Sequence, residues 1–155
     1  MGKAVWFIIS ALVAVLDQAS KYLIIKNLKY NEMIPVIDKF FYITYHENSG
    51  AAWGILQNKG YILIPLTIIL CIGIIYMLIK ADPKILNLSL SFILGGAVGN
   101  LIDRILKARV VDFLDFYFGS YNFPTFNVAD MFITIGTVIL AVFVLFFYEE
   151  GRLFT

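Results

Sequence analysis

Residues 61–104 read YILIPLTIILCIGIIYMLIKADPKILNLSLSFILGGAVGNLIDR. Two apolar runs flank a short charged break. The first, about Tyr61 to Ile79, has no charged residue, and the second runs from about Ile85 to Arg104. About 20 apolar residues suffice to cross the hydrocarbon core of a bilayer. Only Lys80 to Lys84 joins the runs, with Ala81-Asp82-Pro83 inside, so the stretch predicts a tight hairpin of two spanning helices. Similar runs lie on either side, at about Ala4 to Ile25 and about Ala129 to Tyr148. The chain therefore reads as four spans. Two long segments, about 26–60 and about 105–128, fall on one side, and both termini on the other. No repeat or composition break divides residues 1–155, which predicts a single membrane domain.

Composition agrees. Of 155 residues, 61% are hydrophobic and 15% charged, with mean hydropathy +0.85. Soluble domains run at about 45–50% and about 25%. The net charge of +1 gives no basic field for nucleic acid. The first run is no cleavable signal peptide, because no small-residue cleavage site follows a short apolar core. Cys71 and His46 are the only cysteine and the only histidine. An internal disulfide and a thiolate or imidazole metal site lack their ligands. No metal and no cofactor is expected, and chemistry falls to carboxylates, amides, hydroxyls and basic groups. Charge leaves the orientation open: Lys3, Lys80, Lys84 and Arg152 lie on the termini side, and Lys26, Lys29, Lys39, Lys59, Lys107 and Arg109 on the other.

The long segments differ from the spans. Between Met33 and Ile55, the β-branched and aromatic run Val36, Ile37 and Phe40 to Tyr45 predicts short strands. Residues 113–126 hold seven aromatics in fourteen positions, the composition of a membrane interface. That segment reads as an interfacial anchor or as a cover over a site.

Polar residues in the spans are costly and mark candidate function. Asp17 and Lys21 share a helix face at i, i+4. Gly96, Asn100 and Asp103 form a stripe on the third span, with Arg104 beside them. Gly95 and Gly99 give a small-xxx-small pattern that admits a close neighbour. Asn48-Ser49-Gly50-Ala51-Ala52-Trp53-Gly54 permits close backbone approach, as a turn or a peptide-capturing edge. Asp130 opens the last span, where free amides and the helix dipole favour a carboxylate. Asp112 precedes the aromatic segment by one residue. If Asp112 and Asp130 converge, they cannot both ionise cheaply, and one keeps a proton at neutral pH. One carboxylate then activates water while the other polarises a carbonyl. A serine nucleophile fits poorly, since no Gly-x-Ser-x-Gly elbow is present.

Five motifs stand in order: Asp17-Gln18-Ala19-Ser20-Lys21; Thr44 leading to Asn48–Gly54; Gly95 to Arg104; Val110-Val111-Asp112-Phe113; and Phe126-Asn127-Val128-Ala129-Asp130. Together they resemble the bacterial lipoprotein signal peptidases (signal peptidase II) over essentially the whole chain. The resemblance implies a metal-independent intramembrane aspartyl endopeptidase. Such an enzyme removes the signal peptide of a diacylglyceryl-modified prolipoprotein on the amino side of the lipidated cysteine. It implies a membrane all-α fold with a small β element: four spans, an outer sheet or cradle, and an interfacial helix. It implies an inner-membrane location with cytoplasmic termini, a site near the extracytoplasmic face, and a monomer among membrane lipids. Asp112 and Asp130 fall on the catalytic positions. Asp17, Lys21, Asn48, Gly50, Asn100, Asp103, Arg104 and Asn127 fall on supporting or substrate-binding ones. Two departures are mild: Trp53 where phenylalanine is frequent, and Met131 where serine often stands. The competing readings are a small proton-coupled transporter, which lacks the expected internal repeat, and a structural subunit, which leaves the two isolated aspartates unexplained.

Overall fold

In the computed structural model, which describes residues 2–50 and 56–147, the opening hairpin forms helices α2 (Gly60–Lys80) and α3 (Lys84–Lys107). With α1 (Ala4–Asn27) and α4 (Val128–Phe146) they give four helices long and apolar enough to cross a membrane. The expected boundaries agree to within three residues.

Helix α3 is the centre of the bundle and packs on the other three. Its apolar window is 61% buried, against 17–33% in α1, α2 and α4. The sequence explains the asymmetry. Small residues line α3 where neighbours cross it, and a Cβ added to Gly99 would sit 2.5 Å from the Asp17 carboxylate on α1. In lipid, close van der Waals packing rather than water exclusion draws helices together. The other three helices turn Leu12, Ile69 and Leu145 outward, as a lipid-facing surface requires. At the end away from the polar motifs, Trp6, Leu78, Leu86, Leu90 and Phe143 close an apolar core.

The long segments build one antiparallel sheet in the order β1 (Met33–Ile37), β2 (Phe41–Asn48), β3 (Val110–Phe118), β4 (Tyr121–Asn122). The strands expected in the first segment are present. The second segment departs from expectation: its aromatic run is strand. No helix occurs among the described residues of either long segment, so the implied interfacial helix has no counterpart there. Part of the turn motif, Ala51 to Gly54, lies outside the described residues. The strand is favoured because its Val, Phe and Tyr residues fit a pleated surface and have a partner to pair with. Phe41 stacks on Phe116 at 4.5 Å, and Phe116 on Phe126 at 5.8 Å. Phe126 also bridges back to Leu114.

Two junctions deliver the chain to the site. Helix α3 ends at Ala108, whose φ of 58° is left-handed and turns the chain straight into β3. Helix α4 begins with a reciprocal cap: the Asn127 side chain accepts from the Asp130 N–H at 3.0 Å, and Asp130 Oδ2 accepts from the Asn127 N–H at 3.2 Å. This is a capping box written with Asn and Asp.

Candidate active site

The start of β3 and the start of α4 bring Asp112 and Asp130 to one cleft of about 800 Å³. A chain of amides links the two carboxylates. Asn127 Nδ2 donates to Asp112 Oδ1 at 2.6 Å and to Asn100 Oδ1 at 3.2 Å. Asn100 Nδ2 donates to Asp130 Oδ1 at 2.8 Å. On its other side Asp112 accepts from Asn48 Nδ2 at 3.0 Å. Asp112 is almost fully buried. Burial first, then the charge of Asp130, pushes its pKa up to about 7, although the bonds from Asn48 and Asn127 and the nearby Lys21 pull the other way.

Behind the cleft lies a second polar cluster. Lys21 Nζ bonds Asp17 at 2.7 Å, Asp103 at 3.0 Å and Asn100 Oδ1 at 2.9 Å, all in the buried interior. The three partners use the three donors of an ammonium group. They also orient Asn100: a lysine only donates, so the amide oxygen must face Lys21 and the nitrogen faces Asp130. The two carboxylates of this cluster also reach the backbone beside each cleft aspartate. Asp17 Oδ1 accepts the Ala129 N–H at 2.9 Å, and Asp103 Oδ2 the Val111 N–H at 3.4 Å. Arg104 Nη2 donates to the Gly50 carbonyl at 3.2 Å and borders the cleft. Gly50 N–H in turn donates to Asn48 Oδ1 at 2.9 Å.

The ten expected site residues thus join one connected assembly: Asn48, Asn100, Arg104, Asp112 and Asp130 at the cleft, and Asp17, Lys21, Gly50, Asp103 and Asn127 in contact with them. Of the expected cover, the stretch Asn122 to Phe126 borders the cleft, and so does Asn48 of the expected turn. Met131, the departure beside Asp130, borders it too. Among the described residues no group of three His, Cys, Asp or Glu is arranged to hold a metal ion.

The family described as signal peptidase (SPase) II matches residues 9–146. The chain belongs to that family. It is 46% identical, over 137 residues, to the lipoprotein signal peptidase of Bacillus pumilus (strain SAFR-032), covering 87% of this chain and 88% of that one. Two solved structures, each described as a bacterial membrane enzyme, are similar throughout. One has a TM-score of 0.86 at 36% identity and covers 97% of this chain and 94% of its own. The other has a TM-score of 0.83 at 38% identity and covers 94% and 95%. The chain is therefore a bacterial membrane peptidase of the lipoprotein-processing class, and its four membrane-capable helices and four-stranded sheet match that assignment.

Sequence reasoning overlooked some residues at this cleft. His46 borders the cleft and is the cross-strand partner of Asp112. Only the β2–β3 register reveals that, and β3 was not foreseen. The backbone amides of Ala129 and Val111 carry no side-chain signal. Asn122, with Asp115 behind it, also went unnoticed, because an Asn near a turn is the commonest kind of loop residue.

Proposed function

We propose that this peptidase is an intramembrane aspartyl endopeptidase. It removes the signal peptide from diacylglyceryl-modified prolipoproteins by cutting on the amino side of the lipidated cysteine. The observation that carries the reading is the pair Asp112 and Asp130 in one cleft, joined by asparagine amides and free of any cationic partner within ion-pair distance among the described residues.

With the pKa of Asp112 raised, its protonated carboxyl donates to the scissile carbonyl oxygen. Asp130 takes a proton from water, whose oxygen attacks the carbonyl carbon. The tetrahedral intermediate collapses as the leaving nitrogen takes up the proton held by Asp130, and Asp112 recovers its own. Asn100 and Asn127 hold both carboxylates in register. Asp17, Lys21 and Asp103 fix the backbone on which they stand. Arg104 anchors Gly50, and with Asn48 it borders the bound peptide. The whole of residues 1–155 acts as one domain, as a monomer in the inner membrane, with cytoplasmic termini and the sheet outside.

The acyl chains of the substrate stay in the bilayer and hold its cysteine at the carboxylates. Burial contributes about 0.8 kcal/mol per CH₂, so the anchor outweighs a few peptide contacts. The test is cleavage of one precursor with and without its diacylglyceryl group, with the product amino terminus read by mass spectrometry. The expected product begins with the lipidated cysteine, and only the lipidated precursor is cut efficiently. Equal rates, or cleavage elsewhere, would overturn the reading.

A further inference from the structure

The cleft is longer than two carboxylates need. On α4 it is lined by Met131, Ile133 and Ile135, and away from that helix it reaches Asn122 and Phe123. Asn122 is the cross-strand partner of Tyr117, five positions along β3 from Asp112. At about 3.3 Å per residue that is about 16 Å, the span of about five residues of extended peptide. Strand β3 starts against α3, through the Val111 N–H on Asp103, and runs away from the helices. Asn122 therefore marks the end of the cleft remote from the spans.

Behind Asn122 stands Asp115, a buried carboxyl group that takes no part in the chemistry above. Its Oδ1 accepts from Asn122 Nδ2 at 2.8 Å. A carboxylate only accepts, so this contact fixes the amide with nitrogen toward Asp115. The group Asn122 can then offer the cleft is its acceptor oxygen. The Tyr117 hydroxyl flanks the same carboxyl, its pKa raised by burial and then by Asp115, so it stays a donor that helps hold Asp115 in place. An exposed asparagine held by a buried acid is a preset amide, and binding costs it little ordering.

We propose that Asn122, oriented by Asp115, is a specificity-determining residue whose Oδ1 accepts a backbone N–H of the precursor about four to six residues to the carboxyl side of the scissile bond. The inference rests on the peptidase reading above and adds a subsite to it. The direction follows from the chemistry of the two ends. The apolar end on α4 suits the signal segment and acyl chains, which stay in the bilayer. The chain beyond the lipidated cysteine must then leave along the sheet. Asn122 contacts substrate, and Asp115 is a positioning residue.

The experiment uses the purified full chain and diacylglyceryl-modified precursors that end about two or about eight residues after the cysteine. A further set of the longer precursor carries a single backbone N-methyl group at successive positions. The parent should cleave the longer precursor with kcat/KM about five- to tenfold higher, and one N-methyl position should erase that gain, as expected for one hydrogen bond. Asn122→Ala should match the parent on the short precursor, lose the gain on the long one, and be indifferent to the N-methyl group. Asp115→Asn should lose part of the gain through KM, with kcat unchanged. Three results would overturn the proposal: no preference of the parent for length, an N-methyl effect that persists in Asn122→Ala, or an equal loss on both precursors. A parent that cuts neither precursor would refute the peptidase reading itself, whereas equal cleavage of both would refute only the role of Asn122.

Discussion

Two aspartate pairs lie within one bundle and are partnered in opposite ways. Asp17 and Asp103 share the ammonium of Lys21 in the buried interior. Asp112 and Asp130 share only the neutral amides of Asn100, Asn127 and Asn48. A buried cation ties its carboxylates into a fixed cluster, since breaking such a pair strands a charge. Amides supply geometry without a full opposing charge, so a proton can still move. On the reading proposed above, the first pair is architecture and the second performs acid–base work, and Asn100 links Lys21 of the first to Asp130 of the second. A carboxylate's partner decides its task more than its depth does.

The comparison breaks most visibly if the cleft pair is disarmed. Asp112→Asn and Asp130→Asn keep shape but lose the titratable group, together with one of the two hydrogen bonds each carboxylate accepts. Turnover of lipidated precursor by purified variants should fall by about 10³-fold or more, at the upper end of what acid–base groups contribute. Substantial activity in either variant would remove the distinction between the pairs. The interior pair should fail differently. Lys21→Met strips Asp17 of its cation and leaves Asp103 only Lys107, at 3.6 Å, at a cost of about 3–5 kcal/mol. Thermal unfolding in detergent should reveal that loss, and a variant as stable as the parent would mean the cluster is not architectural.

Acidity sharpens the contrast further. Asp112 titrates near 7, well above the usual carboxylate range. As pH rises through that value Asp112 loses its proton, and cleavage should fall about tenfold per unit beyond it. Stability follows the same sign. A raised folded-state pKa gives stability that is complete below the unfolded value and lost as pH rises through about 7. Asp112→Asn removes that titration, so its heat stability should change less than the parent's as pH rises toward about 8, though the variant is inactive. A flat pH–rate profile across neutrality would contradict the assignment of the proton to Asp112. The smallest effect concerns the junction between the pairs. Ala108 holds a left-handed φ of 58°, a conformation glycine adopts without the Cβ penalty. Ala108→Gly should raise stability by about 0.5–1 kcal/mol with unchanged activity, and a lowered unfolding midpoint would mean the turn is not strained.

Much of this contrast was legible in the sequence, for identifiable reasons. The spans announce themselves by length and apolarity. Asp17 and Lys21 are legible because helical spacing puts them on one face. Their meeting with Asn100 and Asp103 followed from the cost of leaving any of them unpaired in lipid. Strand β3 was not legible. Val110 to Phe113 are buried on successive positions, so the period-two alternation that marks a half-exposed strand is missing. The left-handed turn before it carries Ala, not the Gly or Asn that would signal it. The cap on α4 was hidden because Asn-x-x-Asp is a less familiar spelling of the capping box than Ser-x-x-Glu. Without β3 there was no register, and so no way to place His46 or Asn122 along the cleft.

Helix α4 is 19 residues long, about 28 Å at 1.5 Å per residue, close to the thickness of a bilayer's hydrocarbon core. Asp130 lies in its first turn. The helix is therefore a ruler with a carboxyl group at its zero mark, and the lipid sets where that mark falls. On the reading proposed above, a bilayer thicker or thinner than α4 shifts that carboxyl relative to a membrane-anchored precursor, so the membrane itself takes part in selecting the bond that is cut.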